Sequence, residues 1–277
     1  MTGKLIKYEA RSSIRLISII WAALIVASVL LGLVIHVAGS VFTEEGPMHI
    51  MAKILSLVTP LLYGTIMIAM IVVTVLLVVL RFYRGLLSDE GYLMHTLPVK
   101  PWQLITAKGV VAGAVVLISG IVAFLSILIL ISFDNFGEVV KGFRALLQEL
   151  GQNPRYILVG IEILILIVLS ILKSVYQIYA AMAIGQLAEK FRALLSLGAY
   201  IAINMALTGI LIALLTIGDA TGLDVWLTRH LPQIDFIANE FALSQVGIGV
   251  LFVGVAVQLV AFHIITERLL SRKLNLL

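Results

Sequence analysis

The chain has 277 residues, of which 61% are hydrophobic and only 12% are charged, and its mean hydropathy is +1.14. Soluble domains carry about 25% charged residues, so a water-soluble fold is excluded and the bilayer is expected to be the solvent. Cysteine is absent, which excludes disulfides and thiolate metal sites. The net charge of +4 becomes informative only when the charged residues are assigned to the two sides of a membrane.

The chain begins with a basic segment of helical periodicity. Lysine and arginine recur at spacings of three and four residues, which places them on one helical face: Lys4, Lys7, Arg11 and Arg15. This pattern favours an amphipathic interfacial helix over residues 1–15, lying on the inner leaflet before the first membrane span. An ordinary positively charged flank of that span is the alternative.

Six apolar runs are long enough to cross a membrane, since about 20 helical residues span the hydrocarbon core. Each is expected to be helical because unpaired backbone groups are costly in lipid, and the runs are continuous rather than alternating, which excludes a barrel. The first run exceeds the apolar region of a signal peptide and is interpreted as retained. The predicted fold is one all-α polytopic domain over 1–277 with spans at about 16–39, 55–80, 109–133, 156–181, 194–218 and 244–266.

The positive residues predict the orientation of these spans. Thirteen lysines and arginines lie in the N-terminal segment, in the loops after the second and fourth runs and in the tail, whereas five lie in the other loops. Positive residues of short loops collect on the cytoplasmic side. Both termini, and the loop after the second run, are therefore predicted to be cytoplasmic in a multi-pass plasma-membrane protein.

The loop between the second and third runs, RFYRGLLSDEGYLMHTLPVKPWQLITAK (81–108), is unusually polar for this chain. Ser88 is a good N-cap, and Asp89 and Glu90 in the first turn suit the helix dipole. Two prolines end the element. The pattern predicts a short cytoplasmic helix over 84–98, with a surface suited to docking into a partner's groove; a solvated connector is the alternative. Its apolar side chains are Tyr92, Leu93, Met94 and Leu97.

Two further segments outside the spans are predicted to lie on the opposite side of the membrane. Residues 137–151 carry apolar side chains at helical spacing and predict an amphipathic helix that covers the ends of spans three and four. Residues 219–243 are longer than a turn requires, and their apolar content allows them to dip back into the outer leaflet.

Polar residues interrupt the fourth apolar run. Glu162 and Lys173 are 11 residues apart, close to three helical turns; Gln177 continues the same stripe, and Tyr176 flanks it. A charge in hydrocarbon costs about 2.5–3.5 kcal/mol and by default indicates function, so these four residues are a candidate translocation path. As alternatives, Glu162 reaches the headgroups, Lys173 snorkels, or either residue pairs with another span.

The block DEGYLMHTLPV, within YRGLLSDEGYLMHTLPVKPWQLITAK, resembles the region after the second span in ABC-2-type permeases of Gram-positive bacteria. The segments LIKYEARSSIR and AAMAIGQLAEKFR (180–192) are also similar to segments of those proteins, and the six-span layout agrees. The resemblance implies that LIKYEARSSIR is an interfacial connecting helix and that 219–243 is an outer re-entrant element. It places these residues in or beside a coupling helix that docks on an ATPase: Arg84, Asp89, Glu90, Gly91, Tyr92 and Leu93.

The same resemblance implies the permease subunit of a bacterial ATP-binding cassette exporter. Such a subunit works as a homodimer or a heterodimer with a second permease, and separate nucleotide-binding subunits hold ATP and Mg²⁺. The chain itself contains no G-x-x-x-x-G-K-[ST], H-E-x-x-H or G-x-S-x-G motif, and its five histidines show no ligand spacing. No enzymatic activity, cofactor, metal or nucleic-acid partner is therefore expected on this chain.

Two other functions remain open at this level. A secondary transporter or channel would work without an ATPase, although charges are confined to one span and no repeat relates the two halves of the chain. An accessory protein without transport activity would leave the polar loop unexplained. An amphipathic or hydrophobic cargo is expected by analogy with the family alone.

Overall fold

The computed structural model describes residues 2–41, 49–87, 101–188, 190–222 and 240–272, and within these ranges no strand occurs. Within the described ranges, six α-helices and one π-helical turn follow one another. They are α1 (Thr2–Val41), α2 (His49–Phe82), the π-helical turn (Tyr83–Leu87), α3 (Pro101–Gln152), α4 (Pro154–Gly185), α5 (Arg192–Ala220) and α6 (Glu240–Arg272).

Each of the six α-helices contains a stretch that is long and apolar enough to cross a membrane. The prediction of an all-α, six-span membrane protein is therefore confirmed for the described residues. Large apolar side chains cover the outside of these helices; Leu61 is 70% exposed and Leu164 is 63% exposed. Such exposure is stable only where hydrocarbon replaces water, because lipid tails are as apolar as the side chains.

The chain divides into two compact units. Unit 1 comprises Met1–Arg81 and Val110–Tyr156, and unit 2 comprises Phe82–Gly109 and Ile157–Leu277. The second helix lies in unit 1 up to Arg81, whereas its last residue, Phe82, and the π-helical turn that follows belong to unit 2. The third helix begins in unit 2 and continues in unit 1 from Val110.

In unit 1, hydrogen bonds between side chains join α3 to the first two helices. The indole Nε1 of Trp21 donates to the Ser119 hydroxyl at 2.9 Å, and the hydroxyls of Tyr63 and Ser126 lie 2.6 Å apart. Tyr63 also packs in a buried apolar cluster with residues of α1 and α2. Small residues and interhelical hydrogen bonds of this kind stabilise helix association in lipid, where no hydrophobic driving force acts between helices.

The N-terminal segment predicted as an interfacial helix is the first part of α1, which begins at Thr2 and runs to Val41 without interruption. Arg81, at the end of α2, fixes this segment. Its guanidinium donates to the Ser12 hydroxyl at 2.9 Å and pairs with a Glu9 carboxylate oxygen at 3.4 Å. A position on the membrane surface stays a prediction for this segment.

Beyond its membrane-crossing stretch, α3 extends to Gln152 and contains a break in helical geometry at Asn135 (φ −125°, ψ 35°). The amphipathic helix predicted over 137–151 is therefore present as the last part of α3. The predicted re-entrant segment 219–243 lies outside the described residues except at its ends, where α5 runs to Ala220 and α6 begins at Glu240.

Candidate functional site

The predicted docking helix lies almost entirely outside the described residues. This applies to seven of its proposed residues, namely Ser88, Asp89, Glu90, Gly91, Tyr92, Leu93 and Leu97. Arg84 is described and is exposed on the π-helical turn, whereas its neighbours Gly85, Leu86 and Leu87 are buried. The described residues thus define how the chain enters this segment, at 82–87, and how it leaves it, at 101–109; we call these two stretches the anchors.

One side chain of α4 contacts both anchors. The ring of Tyr179 stacks on Phe82 with centroids 3.8 Å apart and planes 15° apart, and both rings are fully buried. The Tyr179 hydroxyl donates to the backbone carbonyl of Lys108 at 3.3 Å. Because Phe82 precedes the docking segment and Lys108 follows it, Tyr179 holds its two ends at one point of α4.

The anchors also contact each other directly, through Lys108 and Gly85. A Cβ atom at Gly85 would collide with the Nζ and Cε atoms of Lys108, so the lysine side chain occupies the space that glycine leaves open. Lys108 is buried, at 8% exposure. Its ammonium lies beside the turn that ends α2, where the partial negative charge of the helix dipole favours a cation.

The π-helical turn is the local feature that shapes the first anchor. Single π-helical turns are rare and recur at functional sites, because the extra residue redirects the side chains that follow it. Here the turn follows α2 directly and buries its last three residues, Gly85, Leu86 and Leu87. The chain therefore enters the segment 88–100 from a packed position rather than from a solvated loop.

A second tyrosine of α4 extends this cluster to α6. Tyr176 is 4% exposed and lies edge-on to His263 and to Tyr179, with centroids 5.2 Å and 6.0 Å away. Its phenol also packs on Gly109, where a Cβ atom would lie 2.5 Å from Cζ and Oη. We call the whole group the anchor cluster: Phe82, Gly85, Lys108, Gly109, Tyr176, Tyr179 and His263.

The polar stripe predicted on α4 has different surroundings at its two ends. Tyr176 and Gln177 are buried, the latter at 3% exposure, whereas Glu162 and Lys173 are half-buried. The Gln245 amide on α6 donates to Glu162 Oε2 at 2.8 Å, which agrees with the alternative that Glu162 pairs with another span. The translocation path itself stays a prediction for all four residues.

Two polar groups of the stripe have no partner within the described residues. The Nε2 atom of Gln177 is fully buried and makes no hydrogen bond there. Lys173 makes neither a hydrogen bond nor an ion pair with any described residue. A buried donor without an acceptor costs about 1–3 kcal/mol, so this amide is not expected to stabilise the described part of the fold.

Several residues of the anchor cluster were not singled out by the sequence patterns. Tyr179 lies three positions after Tyr176 and thus on the same helical side, which is the signal that identifies it. Lys108 directly precedes the long apolar run of α3 and resembles an ordinary flanking charge. Among the described residues, no group of three or more histidine, aspartate or glutamate side chains is placed to hold a metal ion.

Comparison of the chain with the known protein families finds no family that matches, and comparisons with characterised proteins and with solved structures find no match either.

Proposed function

We propose that this chain is the permease subunit of an ATP-driven transporter and that the segment 88–100 docks on a separate ATPase. The observation that carries the proposal is the anchor cluster. Both ends of the segment are held by Tyr179, through the 3.8 Å stacking contact with Phe82 and the 3.3 Å hydrogen bond to the Lys108 carbonyl. A solvated connector between two spans needs no such attachment.

The attachment has a mechanical consequence. A segment whose two ends are fixed to the same helix cannot absorb a push by bending at its ends, because packed clusters resist continuous deformation. Force applied to 88–100 by a partner is therefore passed to α4. The contact of Tyr176 with His263 extends this connection to α6.

The residues proposed as the translocation path lie on the helix that would receive this force. Lys173 and Gln177 precede Tyr179 by six and two positions on α4. Movement of Tyr179 would thus change the surroundings of the polar stripe. Export of an amphipathic or hydrophobic cargo, and pairing with an identical or a related permease, follow from the resemblance to ABC-2-type permeases.

The test is purification of the native complex, followed by identification of the subunits that accompany the chain. We expect a partner with a nucleotide-binding P-loop. The double variant Tyr92→Asp/Leu93→Asp should release that partner, because two charges replace the apolar docking surface. The conservative pair Tyr92→Phe/Leu93→Met is the matched control and should retain it.

Two results would overturn the proposal. The first is a complex that forms equally well with the aspartate pair and with the conservative pair. The second is transport by the chain alone in liposomes under an ion gradient, which would favour the secondary transporter or channel.

A further inference from the structure

The last part of α3, residues 136–152, cannot belong to the same membrane crossing as the rest of that helix. The membrane-crossing stretch Pro101–Phe133 has 33 residues, which at 1.5 Å per residue is about 50 Å long. The hydrocarbon core measures about 30 Å. The crossing is therefore complete before the break in helical geometry at Asn135, and residues 136–152 emerge on the membrane side opposite the start of α3.

This segment carries an exposed apolar stripe along one side. Phe136, Val140, Phe143 and Leu147 follow one another at spacings of four, three and four residues, and their exposed fractions are 67%, 40%, 64% and 53%. The opposite side is polar. It presents Glu138, Lys141, Arg144, Gln148 and Glu149, all of them exposed.

No described part of the protein covers the stripe. That this helix covers the ends of spans three and four stays a prediction; Val139 and Leu150 at the edge of the stripe are half-buried. Two phenylalanines, a valine and a leucine in water would be unfavourable, at about 25 cal/mol per Å² of exposed apolar surface. Contiguous exposed apolar surface of this kind marks a contact with another phase or molecule.

The continuity of the stripe with the membrane-crossing part of α3 indicates which contact this is. Phe124, Leu125 and Ile131, which precede the break at Asn135, are 60%, 47% and 45% exposed on the crossing part of the same helix and so face lipid. The apolar surface resumes at Phe136, directly after the break. Because the crossing is complete before Asn135, the stripe begins at the edge of the lipid, and Lys141 and Arg144 on the polar side can meet phosphate groups there.

We infer that residues 136–152 lie in the plane of the membrane interface, with the Phe136–Leu147 stripe buried among the acyl chains and the charged side in water. An amphipathic helix of this kind enters the interface by about 5–10 Å. The occupant of the stripe is a lipid leaflet, and a second copy of the chain is the competing occupant. This inference does not depend on the proposed transport function.

The absence of cysteine makes a site-directed test free of background labelling. Phe143→Cys, on the stripe, and Gln148→Cys, on the polar side, would each carry a nitroxide spin label in the full chain reconstituted into liposomes. We expect the label at 143 to collide severalfold more with oxygen, which dissolves in lipid, than with a water-soluble nickel chelate. The label at 148 should show the reverse.

Leu147→Cys and Ala145→Cys form a second pair on the same two sides and replace the first pair if a variant does not fold. Equal access of the nickel chelate to both labels would overturn the inference, because the helix would then stand in water. Protection of the 143 label from both reagents, with spin–spin broadening between labels, would also overturn it and assign the stripe to a second copy.

Discussion

The ring of Tyr179 stacks on Phe82 at a centroid distance of 3.8 Å, while its hydroxyl donates to the carbonyl of Lys108 at 3.3 Å. One side chain of α4 therefore joins the end of the second membrane helix to the start of the third. The chain between these two contacts contains the segment that we propose docks on an ATPase. This relationship leads to the first of five predictions.

Removal of the Tyr179 ring should destabilise the protein strongly. Tyr179→Ala leaves a cavity beside the buried Phe82 ring, and truncation of a buried aromatic typically costs about 3–5 kcal/mol. Tyr179→Phe retains the stacking and loses the hydrogen bond to the Lys108 carbonyl, which contributes about 1 kcal/mol. Unfolding in detergent, followed by circular dichroism, measures both changes.

The control for this comparison is Leu164→Ala on the same helix, where the side chain is 63% exposed and the effect should be small. Equal losses from Tyr179→Phe and Tyr179→Ala would contradict the role assigned to the stacked ring.

Gly109 should not tolerate even one additional methyl group. A Cβ atom there would lie 2.5 Å from the Tyr176 phenol, and overpacking of this kind costs about 1–3 kcal/mol. A Cβ atom added at Gly120, in the same helix, would meet nothing within 4 Å apart from the backbone of its own helix. Gly120→Ala should therefore be neutral or stabilising, since alanine is the better helix former by about 1 kcal/mol. Thermal unfolding of the two variants tests this difference, and similar midpoints would refute the close contact.

Gln177→Leu should maintain or increase stability by about 1 kcal/mol, because it removes a buried amide donor that has no acceptor within the described residues. Gln177→Ala removes the same donor but leaves a cavity, and is expected to destabilise. Denaturant unfolding distinguishes the two variants. If Gln177→Leu proved as unstable as Gln177→Ala, the amide would have a partner that the described residues do not include.

Glu162 and Gln245 should be energetically coupled through their 2.8 Å hydrogen bond between α4 and α6. Interhelical hydrogen bonds in membranes contribute about 0.6 kcal/mol on average and at most about 1.7 kcal/mol. A double-mutant cycle with Glu162→Ala and Gln245→Ala isolates this coupling. Additive effects of the two substitutions would show that the bond contributes nothing.

Lys173→Ala should impair transport while leaving the association with the ATPase intact, if the stripe on α4 faces the cargo. The variant removes a half-buried ammonium that has no partner in the described part of the chain. Ser174→Ala, at the exposed neighbouring position, is the matched control. Cargo transport in proteoliposomes and co-purification of the ATPase are measured side by side. Normal transport by Lys173→Ala would restrict the stripe to a structural role.

The number and type of the membrane-crossing elements could be predicted from the sequence alone. In hydrocarbon, each segment must satisfy its backbone hydrogen bonds internally, so a long apolar run determines its own helical conformation without reference to its neighbours. The amphipathic pattern after Asn135 was recognisable for the same reason, because it depends only on the spacing of residues along one helix.

Contacts between helices could not be predicted in this way, because the apolar runs are hydrophobic on every side and their periodicity does not indicate which side faces protein. The spacing along the helix predicts only that Tyr176 flanks a polar stripe, whereas its packing on Gly109 and His263 is known from the structure. Lys108 and Tyr179 are 71 positions apart, and no local pattern relates them.

The sequence by itself therefore determined that lipid surrounds the apolar runs, that these runs are helical, and where along the chain the polar segment between α2 and α3 lies. The tertiary structure alone decided that Tyr179 contacts both flanks of that segment and that the stripe after Asn135 is exposed among the described residues. The physical reason is that secondary structure in lipid follows from a local requirement for hydrogen bonds, whereas packing depends on the shapes of side chains that meet only after the helices associate.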